Sequence, residues 1–139
     1  MLLLDVEHVM VLHQELVAAC ASGELEGMVG PFDDRARAGW DSIVSQLYPV
    51  FGHDRYPTLP QKAAWIIYAG ATTQHLVDGN KRLTTTVALA LLRLNGYDLA
   101  ASVDDREAFV LGISTRGSDH ETAIADAAEW IGTRLAPTT

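Results

Sequence analysis

The chain has 139 residues, 48% of them hydrophobic and 20% charged, with a mean hydropathy of +0.09; it is sized for one ordinary domain and too apolar to stay disordered. Acidic residues outnumber basic ones 18 to 10, giving a net charge of −8 and a pI near 4.9. No broad basic face for a nucleic-acid backbone is expected, and an anion would have to be bound locally.

The opening MLLLDVEHV lacks a basic leader region and meets an acid at Asp5, so it does not read as a signal peptide. No uncharged apolar run reaches the ~18 residues needed to span a bilayer, and a soluble cytoplasmic protein without a membrane partner is the expectation. "LLL" reads as a short strand. After Asp5, a good N-cap, Val6, Val9, Met10, His13, Leu16 and Val17 recur at helical spacing and predict a helix to about Ala21. Cys20, the sole cysteine, cannot form an internal disulfide and reads as a small core residue.

Residues 22–31 are rich in glycine and read as a loop. A second helix follows Asp33, with Trp40, Ile43, Val44 and Leu47 on its buried side. FGHDRYPTLP is full of turn formers, and Thr58 caps a third helix running through QKAAWIIYAGATTQ. A fourth helix starts at Asn80 or Lys81, continues apolar nearly all round, and stops at Asn95-Gly96, which makes it the expected centre of the core. YDLAAS reads as extended. Asp104 with Glu107, and Ser118 with Glu121, have capping-box spacing and open helices over roughly 105 to 115 and 119 to 134. Together these predict an all-α, single-domain bundle of about six helices over 1–135, with a tail at 136–139 that frays.

TTQHLVDGNKRLTTT, between the third and fourth helices, carries the chemistry. Placed at the start of a buried helix, the amides of Gly79, Asn80 and Lys81 become unpaired donors, and Lys81 and Arg82 add positive charge within one turn. Asp78 beside such a site suits Mg²⁺, which takes one or two protein carboxylates plus water and phosphate oxygens. On spacing alone a second reading stands equally: Asp78 as an N-cap, Gly79 as a turn residue, and Lys81 and Arg82 as solvated surface.

LVDGNKR resembles the Fic/Doc family signature, whose usual form is His-Pro-Phe-x-Asp-Gly-Asn-x-Arg with Leu common at the aromatic position in the Doc-like branch. FGHDRYPTLPQKAAWI is similar to the segment that forms this family's flap over the site, which implies a short β-hairpin there. RLNGYDL and LLLDVEHVMVLHQEL extend the resemblance over most of residues 1 to 100. The resemblance implies that Asp78 binds the Mg²⁺ of ATP or another nucleoside triphosphate, that Gly79, Asn80 and Lys81 form the anion nest, and that Asn80 and Arg82 contact phosphates. Lys81, where nucleotidyl-transferring members carry glycine, is similar to the Doc branch, whose members transfer the terminal phosphoryl group. Either reaction modifies a hydroxyl on a target protein, and Doc-like members are toxins restrained by a small antitoxin.

The chain departs from that pattern where the family places its general base. The first motif position, normally histidine, is Gln74; the second, normally proline, is His75. A glutamine amide is no useful proton acceptor near neutral pH. On a regular helix His75 would point about 100° away from Gln74. Three readings remain open: a shortened turn or π-bulge that returns His75 to the pocket, Gln74 orienting a substrate or water, or a nucleotide-binding pseudoenzyme.

His8 and His13 are wrongly spaced for a shared metal and read as surface or half-buried. His53 and Arg55, in the flap, are candidates for target contact, and His120 belongs to a helix start. SGELEG, Ser22 to Gly27, satisfies the family's inhibitory pattern, in which a glutamate pairs with the motif arginine; that would place Glu26 near Arg82, with coincidence as the stronger reading. Trp40, Trp65, Tyr68 and Trp130 read as core.

Overall fold

The computed structural model describes residues 1–115 and 119–138. Six helices form the fold: α1 (Val6–Ala21), α2 (Asp34–Ser45), α3 (Leu59–Thr72), α4 (Asn80–Leu94), α5 (Val103–Thr115) and α6 (His120–Gly132). Two short antiparallel strands, β1 (Tyr97–Leu99) and β2 (Leu135–Pro137), pair with Asp98 opposite Ala136. The all-α architecture expected from periodicity is the one observed.

Local chemistry sets most helix boundaries. Asp5 accepts from the His8 amide while the His8 ring returns to the Asp5 amide, closing a capping box at the start of α1. Asp33 caps α2 through the Ala36 amide, and Thr58 with Gln61 closes a second capping box on α3. Gly96, at φ 86°, ends α4 in the left-handed region that Asn95-Gly96 predicts.

Four local expectations change. Met1–Leu4 forms no strand; Leu2 instead exchanges hydrogen bonds with the Asn95 side chain at 2.7 and 2.9 Å. Helix α5 begins earlier than expected, because the Ser102 hydroxyl, not Asp104, accepts from the first-turn amide of Asp105. The cap predicted at Ser118 lies outside the described residues; Asp119 caps α6 through the Thr122 amide. The tail expected to fray is paired through β2, and the Thr138 amide reaches the Gly96 carbonyl, while Thr139 lies outside the described residues.

As expected α4 is central to the core, packing against α1, α3, α5 and β1, and α3 shares that place, packing against α2, α4, α5 and α6. Ala63, Ala64, Ile66, Ala69 and Gly70 make it narrow, so neighbours approach closely; a Cβ on Gly70 would lie 2.2 Å from the buried Thr84 hydroxyl of α4. Trp40 is fully in the core, Trp65 donates to the Ile43 carbonyl, and Trp130 stacks on Phe109 at 4.0 Å. No helix among the described residues is long and apolar enough to cross a membrane.

Candidate functional site

The two ends of α3 carry the two loops of interest. At its N-terminal end the flap makes a tight turn closed by one bridge between Val50 and His53, with Phe51 and Gly52 both at positive φ. Lys62, 2% exposed, reaches from α3 into this loop and donates to the Leu47 carbonyl and to both carboxylate oxygens of Asp54 at 2.8 and 3.0 Å. That hydrogen bond holds the Asp54 carboxyl below its usual range. His53 is exposed, and Arg55 lies over the Tyr56 and Trp65 rings.

At the other end α3 stops at Thr72, with Thr73 extended, and the Thr72 and Thr73 hydroxyls donate back to the Tyr68 and Ala69 carbonyls. Gln74 and His75 were expected on the helix and instead lie in the connecting loop, so no helical rotation relates them. Gln74 is exposed. The His75 ring sits on α2 in a notch left by Gly39, where a Cβ would lie 2.2 Å from Nδ1. Burial, and secondarily the Arg35 charge, lower the His75 pKa. His75 is therefore biased toward the proton-accepting form.

The loop then turns into α4. Leu76 is buried and anchors it. The Asn80 side chain clamps Leu76 from both sides, Oδ1 accepting from its amide at 2.9 Å and Nδ2 donating to its carbonyl at 2.8 Å. Asn80, expected to contact phosphate, thus uses its amide group to shape the turn. Gly79 is the N-cap of α4, at φ 88°, and no side chain caps the helix. This removes the reading in which Asp78 is an ordinary N-cap; its exposed carboxylate accepts from the Gly79 amide at 2.8 Å instead. The amides of Asn80, Lys81 and Arg82 form the uncapped, electropositive end of a helix that runs into the core.

Lys81 is exposed, whereas Arg82 is tied back. Its Nη1 donates to the Glu26 main-chain carbonyl at 2.6 Å and lies 3.6 Å from Cys20 Sγ. Glu26 does approach Arg82, but through its carbonyl and not through the carboxylate of the inhibitory pattern. Beside them a cleft of about 510 Å³ opens between α4, α5 and the end of α1, with Leu16, Leu89 and Val110 on its walls and Lys81, Arg82 and Arg106 among its polar groups.

A single carboxylate serves the turn, and among the described residues no group of three or more His, Cys, Asp and Glu side chains is gathered for a metal. Asp78 has no ion pair there either. An exposed carboxylate that spends Oδ1 on the Gly79 amide and offers Oδ2 next to an uncapped helix start fits a divalent ion that arrives with a phosphate ligand and brings most of its own oxygens.

Residues 29 and 30, read only as loop, were missed. The Gly30 amide donates to the Asp78 carbonyl at 2.9 Å, and a Cβ on Gly79 would lie 3.1 Å from Val29 Cα. His13, expected at or near the surface, is 6% exposed, and its Nε2 lies 2.7 Å from the Gly30 carbonyl. The helical spacing of His13 with Val9 and Leu16 was the signal for its burial; nothing local announced the Gly30 contact.

The sequence pattern described as the Fic/DOC family matches residues 3–92, which takes in α1 to α3, the flap, the motif turn and most of α4. The curated protein "Toxin Doc" of Mycolicibacterium smegmatis (strain ATCC 700084 / mc(2)155) is 40% identical over 81 residues, covering 57% of this chain and 62% of the toxin's own length. With the Asp78–Arg82 turn at the head of α4 and the match spanning well over half its length, the chain belongs to the Fic/Doc family.

Proposed function

We propose that the chain is a Doc-like transferase, which takes ATP or another nucleoside triphosphate with Mg²⁺ at the Asp78–Arg82 turn and moves a phosphoryl or nucleotidyl group to a hydroxyl of a protein target. We read it as the toxin of a toxin–antitoxin pair, by analogy with the Mycolicibacterium relative named Toxin Doc. The observation that carries the proposal is the left-handed Gly79 at an uncapped helix N-terminus, flanked by an exposed carboxylate and an exposed lysine.

The Asn80, Lys81 and Arg82 amides bind phosphate oxygens at the positive end of α4. Lys81 adds charge from the cleft side. Arg82 has five N–H donors and spends Nη1 on Glu26, so Nη2 and Nε can serve a phosphate without breaking that tether. Asp78 holds the Mg²⁺, which when bound neutralises charge across the phosphate oxygens. The hydroxyl proton needs an acceptor, and His75, next in sequence to the family's base position and able to be neutral near pH 7, can take it.

A second reading, a nucleotide-binding module with impaired catalysis, draws on a specific observation: Gln74 stands at the family's base position, exposed, while His75 is seated on α2. Loss of a general base typically costs about 10²–10⁴ in rate, so slow transfer fits this reading also.

Titration calorimetry with ATP and with GTP, each with Mg²⁺, tests the shared premise against an Asp78→Ala, Arg82→Ala variant. Binding by the wild type that the variant loses is expected; absence of binding by the wild type sinks the nucleotide site. Transfer of a terminal-phosphate label to protein in a cell extract then separates the readings. Transfer abolished by His75→Ala supports the enzyme, and transfer gained only in Gln74→His supports the module.

A further inference from the structure

We propose that His13 is a positioning residue for the Asp78–Arg82 turn, acting through the backbone of Gly30. A carbonyl oxygen only accepts, so the 2.7 Å contact requires His13 Nε2 to carry the proton and donate to Gly30. The amide of the same residue donates to the Asp78 carbonyl at 2.9 Å. One glycine therefore joins a buried side chain of α1 to the main chain of the residue that precedes the left-handed Gly79.

Close packing makes the link stiff. A Cβ on Gly30 would lie 3.2 Å from the Asp78 nitrogen and 3.3 Å from the Val77 nitrogen, and Val29 lies against Gly79. The His13 ring is fixed in turn by burial within the α1 stripe and by the tilted Phe32 ring at 5.3 Å. Asn80 ties the turn to Leu76 within the motif. Gly30 ties it to α1, a helix the motif does not contact in sequence. Without the His13 hydrogen bond the 28–30 segment loses its anchor, and Asp78 and Gly79 lose the wall that holds their backbone conformation.

The role assigned to the turn rests on the reading of it as a nucleotide site, whereas the link itself does not, and the experiment separates the two. Residue-resolved amide hydrogen exchange is measured on the full chain for wild type, His13→Leu, which keeps an apolar body against Phe32, and His13→Gln, whose amide can still donate. Exchange at Gly30 and Gly79, referenced to Ala127 in α6, is expected to rise about tenfold in His13→Leu and to return toward wild type in His13→Gln. In parallel, the Kd for Mg²⁺–ATP is expected to weaken about tenfold in His13→Leu and recover in His13→Gln.

Unchanged referenced exchange in His13→Leu overturns the proposal, as does an equal rise in His13→Gln. If His13→Leu does not fold, Gly30→Ala probes the link from its other end with His13 intact, and unchanged exchange at Gly79 in that variant overturns it too. Failure of the wild type to bind nucleotide removes the function of the turn but leaves the exchange result to decide whether His13 positions it.

Discussion

The flap and the motif turn leave opposite ends of the same helix, and they use polar groups in opposite ways. At the flap, a lysine is buried and all three of its donors are consumed, two by Asp54 and one by the Leu47 carbonyl. At the motif turn, the backbone is held by amide and carbonyl contacts while Asp78 and Lys81 stay exposed. A buried charge has no tolerable state other than paired, so it serves the fold. Charges held out on a backbone-stiffened turn remain available to a ligand. Residue type alone would have ranked Lys62 and Lys81 alike.

Asp54→Ala tests the flap side and carries the largest expected effect. It leaves the Lys62 ammonium buried with only the Leu47 carbonyl, and thermal denaturation should show a larger loss of stability than any substitution in the motif turn, with Lys62→Met recovering much of it. The sign with pH follows from the lowered Asp54 carboxyl: its contribution is present above the normal carboxylate range near 3.8 and is lost as pH falls through the folded value.

Gly70→Ala acts on the α3–α4 crossing beneath the motif turn. Its Cβ would lie 2.2 Å from Thr84 Oγ1, and overpacking of that kind costs about 1–3 kcal/mol. Thr84 is wholly buried and its hydroxyl has no hydrogen-bond partner among the described residues. Gly70→Ala combined with Thr84→Ala should therefore regain most of the loss in a double-mutant cycle, and purely additive effects would contradict direct contact.

Gly79→Ala places a side chain at φ 88° and against Val29. A non-glycine residue in the left-handed region costs roughly 1–2 kcal/mol, measurable by urea denaturation. The same variant should weaken Mg²⁺–nucleotide binding more than this modest loss of stability would suggest, because the strain falls on the ligand-facing backbone.

The smallest effect belongs to His75. Its pKa is lowered from 6.5 by burial first and by Arg35 second, so the folded state prefers the neutral ring. Stability should be full above about pH 6.5 and decline as pH falls through the lower folded value, because the unfolded chain binds the proton more readily. A His75→Asn variant should show a flatter stability profile between neutral pH and that lower value, and an unchanged slope would place the ring in solvent.

Much of the fold was legible in the sequence because it is set locally. The caps at Asp5, Asp33 and Thr58, the Asn95-Gly96 stop and the helical stripes are decided within a turn or two of chain. The Asp78–Arg82 turn and its place at the head of α4 were legible for the same reason. What lay beyond reach depended on partners distant in the chain. Tertiary contact turned the tail into β2 by supplying β1 as its partner. It set α3 beside α4 at the centre, since small residues suit close neighbours without naming them. It seated His75 on Gly39, tied Arg82 to the Glu26 carbonyl, and joined His13 to Asp78 through Gly30. Helix starts and stops are short-range hydrogen-bond chemistry that the sequence writes in consecutive residues. The direction in which a loop side chain points is settled only when elements far apart in sequence pack against it.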